Sequence, residues 1–341
     1  MKELTRILSI CFLLGSCFGQ DAEESDRRAL FAGVAASRIL PQPNVRGDDP
    51  DWFFLVKELR HLSLGRFWEK PWKDVAANGN DPIPSILEFH TLLAKRGIRL
   101  ILVPIPAKAG IYPDKLATGF KPGEAEPLAP LLERIRAGGV NVIDLEPHFL
   151  AMREASPEKW LYCRQDAHFS PAAIELVAKL VAEEAGTSAP DPAGGFTLSG
   201  TEMLKIEGDQ VAGSEWAGSV APESVEARYV KSKGGEPVVP DPESPLLLLG
   251  DSHTLVFQAG KEGGMHCSGA GVFDHLSARL GFAPDLVAVR GSGLVQARKQ
   301  LFYRAASTPG YWDSKKVVVW LFSAREFTQS SDKPIAIPLE R

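Results

Sequence analysis

Pro245-Leu246-Leu247-Leu248-Leu249-Gly250-Asp251-Ser252 is the stretch on which the reading of this 341-residue chain turns. Four leucines after a proline, without polar alternation, read as a strand buried on both faces, as in a parallel sheet. Gly250 permits a tight exit from the strand. A hydroxyl placed directly after that exit stands at the carboxyl edge of the sheet, where open α/β sheets bind ligands. Helical sequence is expected to follow, its first amides available to negative charge on a reacting oxygen. Ser252 is therefore the candidate nucleophile. Gly-Asp-Ser alone is also an ordinary turn composition, and its position after the apolar run is what raises it above that.

Outward from this strand the chain alternates between helix and strand signals. Pro82 and Pro84 open a helix over Ser85–Arg96, Gly97 ends it, and Ile98–Ile105 (IRLILVPI) reads as a buried strand. A helix over Pro127–Ala137 is followed by a strand over Val140–Leu145. Ser170 at the N-cap and Pro171 at the first helical position start a helix that runs to Ala185. Asp285–Arg290 and Lys316–Phe322 supply two more strands, and residues 51–63 read as a strand or short helix. Residues 187–244 are rich in Gly, Pro, Ser and Glu and read as an irregular excursion with one or two hairpins. The repetition predicts an α/β fold, a parallel sheet flanked by helices.

Two further motifs carry chemistry. Asp166-Ala167-His168 stands just ahead of the Pro171 helix. A serine needs a base, histidine is the usual one, and a carboxylate fixes its tautomer. In an extended segment residues i and i+2 point to the same side, so both could face one pocket. A histidine before a helix is otherwise a solvated cap residue, and pairing with a strand-end serine is what favours the base. Arg290-Gly291-Ser292-Gly293 follows another strand, and glycine amides there can aim hydrogen bonds at a developing oxyanion; the plain alternative is a strand-to-helix turn.

Composition limits the partners. With 38 basic and 43 acidic side chains the net charge is −5, and no basic cluster points to nucleic acid. The seven histidines show no HxxxH or HExxH spacing, so neither metal nor other cofactor is expected. His253, beside the serine, reads as a solvated or packed side chain. Lys2 and Arg6 precede the short apolar run Ile7–Leu14, too short for the ~20 residues of a membrane span and suited to a secretory signal over residues 1–19. Cleavage after Gly19 would release a soluble protein; Leu14-Gly15-Ser16-Cys17 would instead allow a lipid anchor at Cys17. Either exit makes the protein periplasmic or secreted. Cys163 and Cys267 are then the only cysteines of the body, read either as a disulfide joining the two motif loops or as two independent buried thiols.

Gly250-Asp251-Ser252 followed by Arg290-Gly291-x-Gly293 resembles the first two blocks of the SGNH/GDSL hydrolase superfamily. The Asp-x-His motif lies before the serine here, and that permuted order resembles the alginate O-acetyltransferase (AlgX/AlgJ-like) family. Asp51-Trp52-Phe53-Phe54, Arg99–Pro113 with PIPAKAGIYP, Gln165–Pro171 (QDAHFSP) and Val318–Glu326 (VVWLFSARE) agree with it. The resemblance implies an SGNH hydrolase-like, flavodoxin-like catalytic domain over residues 45–330, with 187–244 as an insertion. It implies Ser252 as nucleophile, His168 as base and acid, Asp166 as orienting carboxylate, and Gly291, less so Gly293, in the oxyanion hole. The chain departs from the family at Ala167 and Phe169, where a hydroxyl residue and an aromatic such as tryptophan are usual. The Gly-x-Asn-Asp block of common SGNH hydrolases is also missing, and Ser323 and Arg325 stand after the last strand. Arg325 would contact substrate or pair with a carboxylate; Lys108 and Tyr112 would line a sugar groove or simply decorate a loop. The implied activity is acetyl transfer to an exopolysaccharide hydroxyl through an acetyl-serine. The implied partners are a polysaccharide acceptor and an acetyl donor, the latter supplied with or without a membrane acyl-transfer protein. The alternatives are an acetylesterase with the same triad and a non-catalytic polysaccharide-binding scaffold.

Overall fold

Five strands lie side by side in the order Asp285–Ala288, Leu246–Gly250, Val317–Ser323, Arg99–Ile105, Asn141–Val142, and every neighbouring pair is parallel. The computed structural model describes residues 22–186, 194–261, 264–291 and 293–339. The expected secretory leader, with Cys11 and Cys17, lies outside them. Among the described residues no helix is long and apolar enough to cross a membrane.

The central strands are apolar throughout because both faces are covered. Side chains alternate between faces. Ile101, Val103, Ile105, Leu246, Leu248, Val319 and Leu321 enter one core. Leu100, Leu102, Leu247, Leu249, Val318, Trp320 and Phe322 enter the other. Helices Pro171–Ala185 and Val272–Leu280 close the first face, through Ile174, Val177, Val181 and Leu276 among others. Helices Ile83–Ala94, Ala129–Ala137 and Gln296–Ser307 close the second, through Ile86, Leu93, Leu132 and Leu301. Each buried aliphatic side chain contributes about 1.5–3 kcal/mol relative to exposure, so a slip of one residue in any central strand would be very costly.

Several local expectations are refined. The stretch 51–63 is both things it could have been, strand Phe53–Leu55 running into helix Val56–Ser63. The expected strand Val140–Leu145 shrinks to Asn141–Val142, because Asp144 caps a helix Leu145–Ala155 by accepting the Glu146 amide. Among the described residues no long helix directly follows Ser252. A single 3₁₀ turn, Ser252–Thr254, takes its place, and the next helix starts only at Val272.

Residues 194–244 hold one long antiparallel ribbon with an interrupted ladder. Phe196–Leu198 pairs with Val230–Ser232, and further out Glu202–Ile206 pairs with Glu223–Ala227. Its tip, residues 207–222, folds back over the carboxyl edge of the sheet.

Candidate active site

The turn at Gly250 is set by crowding. A Cβ there would stand 2.5 Å from Thr254 Cγ2 and 2.7 Å from the Leu321 carbonyl oxygen, so only glycine lets the strand end this close to its neighbour. Asp251 then fixes the exit: its Oδ1 accepts the His253 amide at 2.9 Å and its Oδ2 accepts the Ser323 amide at 2.8 Å. Burial works against its charge, but His253, Arg325 and the Ser323 amide hold the carboxyl at about 2. Ser252 is thereby pinned at the sheet's carboxyl edge, nearly buried.

His168 and Asp166 reach that edge on a tight loop. The Cys163 amide donates to the His168 carbonyl at 3.2 Å and the Ser170 amide to the Leu161 carbonyl at 3.0 Å, which close the loop. Within it the motif is not extended, as expected from the sequence, but turned: the His168 amide donates to Asp166 Oδ1 at 2.9 Å. Aspartate often organises a turn with its own backbone two residues on. The turn brings the side chains together as well, His168 Nδ1 lying 2.5 Å from Asp166 Oδ1. On the other side of the ring, His168 Nε2 is 2.8 Å from Ser252 Oγ. A carboxylate can only accept, so in the neutral ring Nδ1 carries the proton and Nε2 accepts from the serine hydroxyl. Burial opposes the imidazolium, yet Asp166, with Asp209 and Asp251 beyond it, reverses this and pushes His168 up to about 9. Asp166 is buried too, and His168 and His266 nevertheless hold its carboxyl well below the usual carboxylate range.

No motif in the sequence marks what holds Asp166. Its outer oxygen, Oδ2, accepts the Asp209 amide at 2.9 Å and faces His266 Nε2 at 3.0 Å. Asp209 belongs to the ribbon tip, where the Gln210 amide donates to the Gln165 carbonyl at 3.1 Å and Asp209 Oδ1 accepts the Ala167 amide at 2.9 Å. A Cβ on Gly208 would lie 2.0 Å from that same Gln165 oxygen, so glycine is required for the tip to seat. Beneath the loop lies Lys108. Its Nζ donates to the carbonyls of Phe53 at 2.7 Å, Arg164 at 2.9 Å and Asp166 at 3.0 Å, and to Gln210 Oε1 at 3.0 Å. The rings of Trp52 and Phe54 flank it, and burial pulls its pKa down to about 8.

Lys108 and Tyr112 therefore do not line a groove, and that expectation is corrected. Both are fully buried; the Lys108 ammonium is occupied by four acceptors, and Tyr112 Oη accepts the Leu161 amide at 2.9 Å against the ring of Trp52. Arg325 pairs with a carboxylate, 3.4 Å from Glu58 Oε1, and also lies 2.7 Å from Ser323 Oγ. Cys163 and Cys267 are free thiols, so the bridge is absent and the alternative of two independent thiols describes them. They donate to different carbonyls, those of Phe169 and Phe257. Gly291 has φ +85°, and Ser292 beside it lies outside the described residues. Gly293 is a packing glycine, since a Cβ would stand 2.4 Å from Phe322 Cβ, and its carbonyl accepts the Trp320 indole N–H at 2.8 Å. His253 is packed rather than solvated, 4.9 Å from the His168 ring and 4.7 Å from Phe169, centre to centre. Asp166, His168 and Asp209 bring potential metal-ligand atoms within 4.8 Å of one another. The contacting atoms of Asp166 and His168 are already committed to each other, so the donor set suits proton handling better than a cation.

Comparisons with known proteins agree with the fold. Pseudomonas putida AlgJ, as its O-acetyltransferase domain, superposes with a TM-score of 0.60 at 20% identity, covering 85% of this chain and 93% of that one. Pseudomonas aeruginosa AlgX superposes with a TM-score of 0.55 at 19% identity, covering 85% of this chain and 67% of that one. In sequence, 150 residues are 29% identical to the probable alginate O-acetylase AlgJ of Pseudomonas aeruginosa. That match takes in 42% of this chain and only 33% of the relative's length. A family model described as "SGNH hydrolase-like domain, acetyltransferase AlgX" matches residues 45–308. By that match over most of its length, and with a parallel sheet carrying serine, histidine and aspartate at one edge, the chain belongs to the AlgX family of SGNH hydrolase-like domains.

Proposed function

We propose that the chain is an exported serine-dependent O-acetyltransferase that places acetyl groups on hydroxyls of an extracellular polysaccharide through an acetyl-serine. The observation that carries this reading is the unbroken line from Ser252 Oγ through His168 to Asp166, with contacts of 2.8 and 2.5 Å. Neutral His168 takes the hydroxyl proton as Ser252 attacks the donor ester, and Asp166 stabilises the imidazolium that results. His168 then returns the proton to the leaving group. In the second half it removes the proton of the acceptor hydroxyl, which attacks the acetyl-serine, and passes that proton to the departing Ser252 oxygen, restoring the serine hydroxyl and neutral His168. The Ser252 and Gly291 amides are the proposed oxyanion donors, each worth ~3 kcal/mol at the transition state.

The same steps with water as acceptor would make an esterase. Transfer is favoured by the relatives, which are named an alginate O-acetylase and an O-acetyltransferase domain; alginate is accordingly the first acceptor to test. Export rests on Lys2, Arg6 and the apolar run behind them. Outside the cytoplasm the acetyl group must come from an activated ester or from a membrane acyl-transfer partner.

The test is intact-mass spectrometry of the mature protein and Ser252→Ala after brief exposure to an activated acetyl ester, with donor turnover followed with and without oligosaccharide acceptors. We expect one acetyl group on the wild type only, and turnover accelerated by an acceptor that becomes acetylated, with Ser252→Ala slower by several orders of magnitude. An adduct discharged only to water would make the protein an esterase. No adduct and no turnover in either form would leave a binding scaffold.

A further inference from the structure

Asp166 has two oxygens and four donors, and one of those donors is a second histidine. The inner oxygen serves His168, ring and amide. The outer one accepts the Asp209 amide and lies 3.0 Å from His266 Nε2, which must be the donor because a carboxylate cannot be. His266 comes from the segment that follows the nucleophile, fourteen residues beyond Ser252 in a sequence that marks it by no motif.

Its backbone is unusual. His266 has φ +68°, a left-handed conformation uncommon outside glycine. Around it the Cys267 amide donates to the Met265 carbonyl at 2.8 Å, the two-residue span of a γ-turn, which with positive φ is rare and strained. Phe257, on the same segment, also has positive φ at +57°, and its amide binds the Met265 carbonyl at 2.9 Å. Its ring lies 5.1 Å from the His266 imidazole, whose side chain is only 8% exposed. Such strain persists only where the surroundings enforce it, and it gathers at functional sites. Here it aims one imidazole at one carboxylate oxygen.

We infer that His266 is a positioning residue for the Ser252–His168–Asp166 line: its Nε2–H pins the outer oxygen of Asp166 so that the inner oxygen stays directed at His168 Nδ1. The inference rests on the serine-dependent reading above. It makes the segment after the nucleophile a contributor to both ends of the line, supplying Ser252 at one and the brace behind Asp166 at the other.

Two substitutions separate hydrogen bonding from packing. His266→Gln keeps an N–H near the Nε2 position and loses the ring; His266→Phe keeps the ring against Phe257 and loses the donor. Both are compared with wild type, Ser252→Ala, Asp166→Ala and the double variant Asp166→Ala/His266→Phe in steady-state turnover of an activated acetyl ester. A hydrogen bond to a charged group predicts that His266→Phe lowers kcat about tenfold to a hundredfold with KM within about twofold. His266→Gln should recover most of that loss, and His266→Phe should cost little more once Asp166 is alanine. The inference is overturned if Phe matches wild type, if Phe outperforms Gln, or if the losses at 166 and 266 simply multiply. Ser252→Ala turning over like wild type would overturn the triad itself and this inference with it. A dead Ser252→Ala beside a fully active His266→Phe removes only the role of His266.

Discussion

His168 decides how the site answers to pH. Burial alone would keep its ring neutral, but Asp166 at 2.5 Å outweighs burial and pushes the pKa up to about 9. Only the neutral ring can accept the serine proton, so kcat/KM for acyl transfer is expected to climb through the alkaline range, its acidic limb well above the usual histidine value of ~6.5. In Asp166→Asn the opposing carboxylate is gone and burial dominates, so the limb moves down while kcat falls by orders of magnitude. The same shift has a stability consequence. A pKa raised on folding stabilises fully below the unfolded value and is lost as pH rises through the folded one. Between about pH 6.5 and 9 the wild type should therefore lose Tm that Asp166→Asn does not. Parallel pH profiles of rate and Tm for the two proteins check both claims, and an acidic limb near 6.5 in the wild type would refute the first. This part of the site was legible because Ser252, His168 and Asp166 announce themselves locally, by a strand exit and an i, i+2 pair. Lys108 and Tyr112 are not legible in this way, for the complementary reason. Lysine in a loop is ordinarily solvated, and what buries this one is a set of carbonyls at 53, 164 and 166, far away in sequence and brought together only by the fold.

At the scale of elements, the ribbon over residues 194–244 is the part whose meaning was least visible. Its composition is that of an irregular insertion, and in sequence nothing links Gly208-Asp209-Gln210 to the Asp166 motif more than forty residues earlier. The sheet, by contrast, could be read directly, since strands buried on both faces have uninterrupted apolar runs such as Leu246–Leu249. The hydrogen bonds that seat the tip on the Asp166 motif join backbone amides to carboxylates or to a backbone carbonyl, and together with Gln210 Oε1 on Lys108 they form no local pattern of residue types apart from the glycine that allows the approach. That glycine is the place to test it. In Gly208→Ala the new Cβ would lie 2.0 Å from the Gln165 oxygen and 2.6 Å from the Asp166 nitrogen, both backbone atoms that cannot swing aside. The tip must lift, and Asp166 loses the Asp209 amide. We expect a loss of ~1–3 kcal/mol in denaturant unfolding, as for other overpacked sites, with a fall in kcat and little change in KM for a small ester donor. Gly213→Ala, on the same tip with open space around it, is the control for nonspecific effects on the ribbon, though its positive φ of +72° adds some local strain. If Gly208→Ala loses no more activity than Gly213→Ala, the tip does not hold Asp166 in place.

At the scale of the whole molecule, the site is an assembly of distant segments on one edge of one sheet. The strand at 53–55, the loop at 161–170, the ribbon tip and the segments after Ser252 and Val317–Ser323 all meet there, and all but the tip are anchored in one of the two cores that cover the faces of the sheet. On the proposed export, a protein built this way could have been stapled by a disulfide between its two motif loops, the reading that an even pair of cysteines invites. The structure stabilises those loops by other means. Cys163 is fully buried in the core and donates to Phe169; burial raises its thiol well above the ordinary range. Cys267 is less buried, and desolvation still pushes it up to about 11. Thiols held protonated are poor nucleophiles and slow to oxidise. A bridge would contribute about 2–4 kcal/mol and make Tm depend on reductant; without one, Tm should agree within about a degree with and without reductant, since only a ΔΔG well under 1 kcal/mol would then remain. Mature protein denatured without reductant should yield both body thiols to a maleimide, whereas the native protein at neutral pH should label slowly at either. A Tm that falls by several degrees on reduction, or denatured protein that yields no thiol until it is reduced, would restore the disulfide and with it a covalent tie between the base loop and the segment that carries His266.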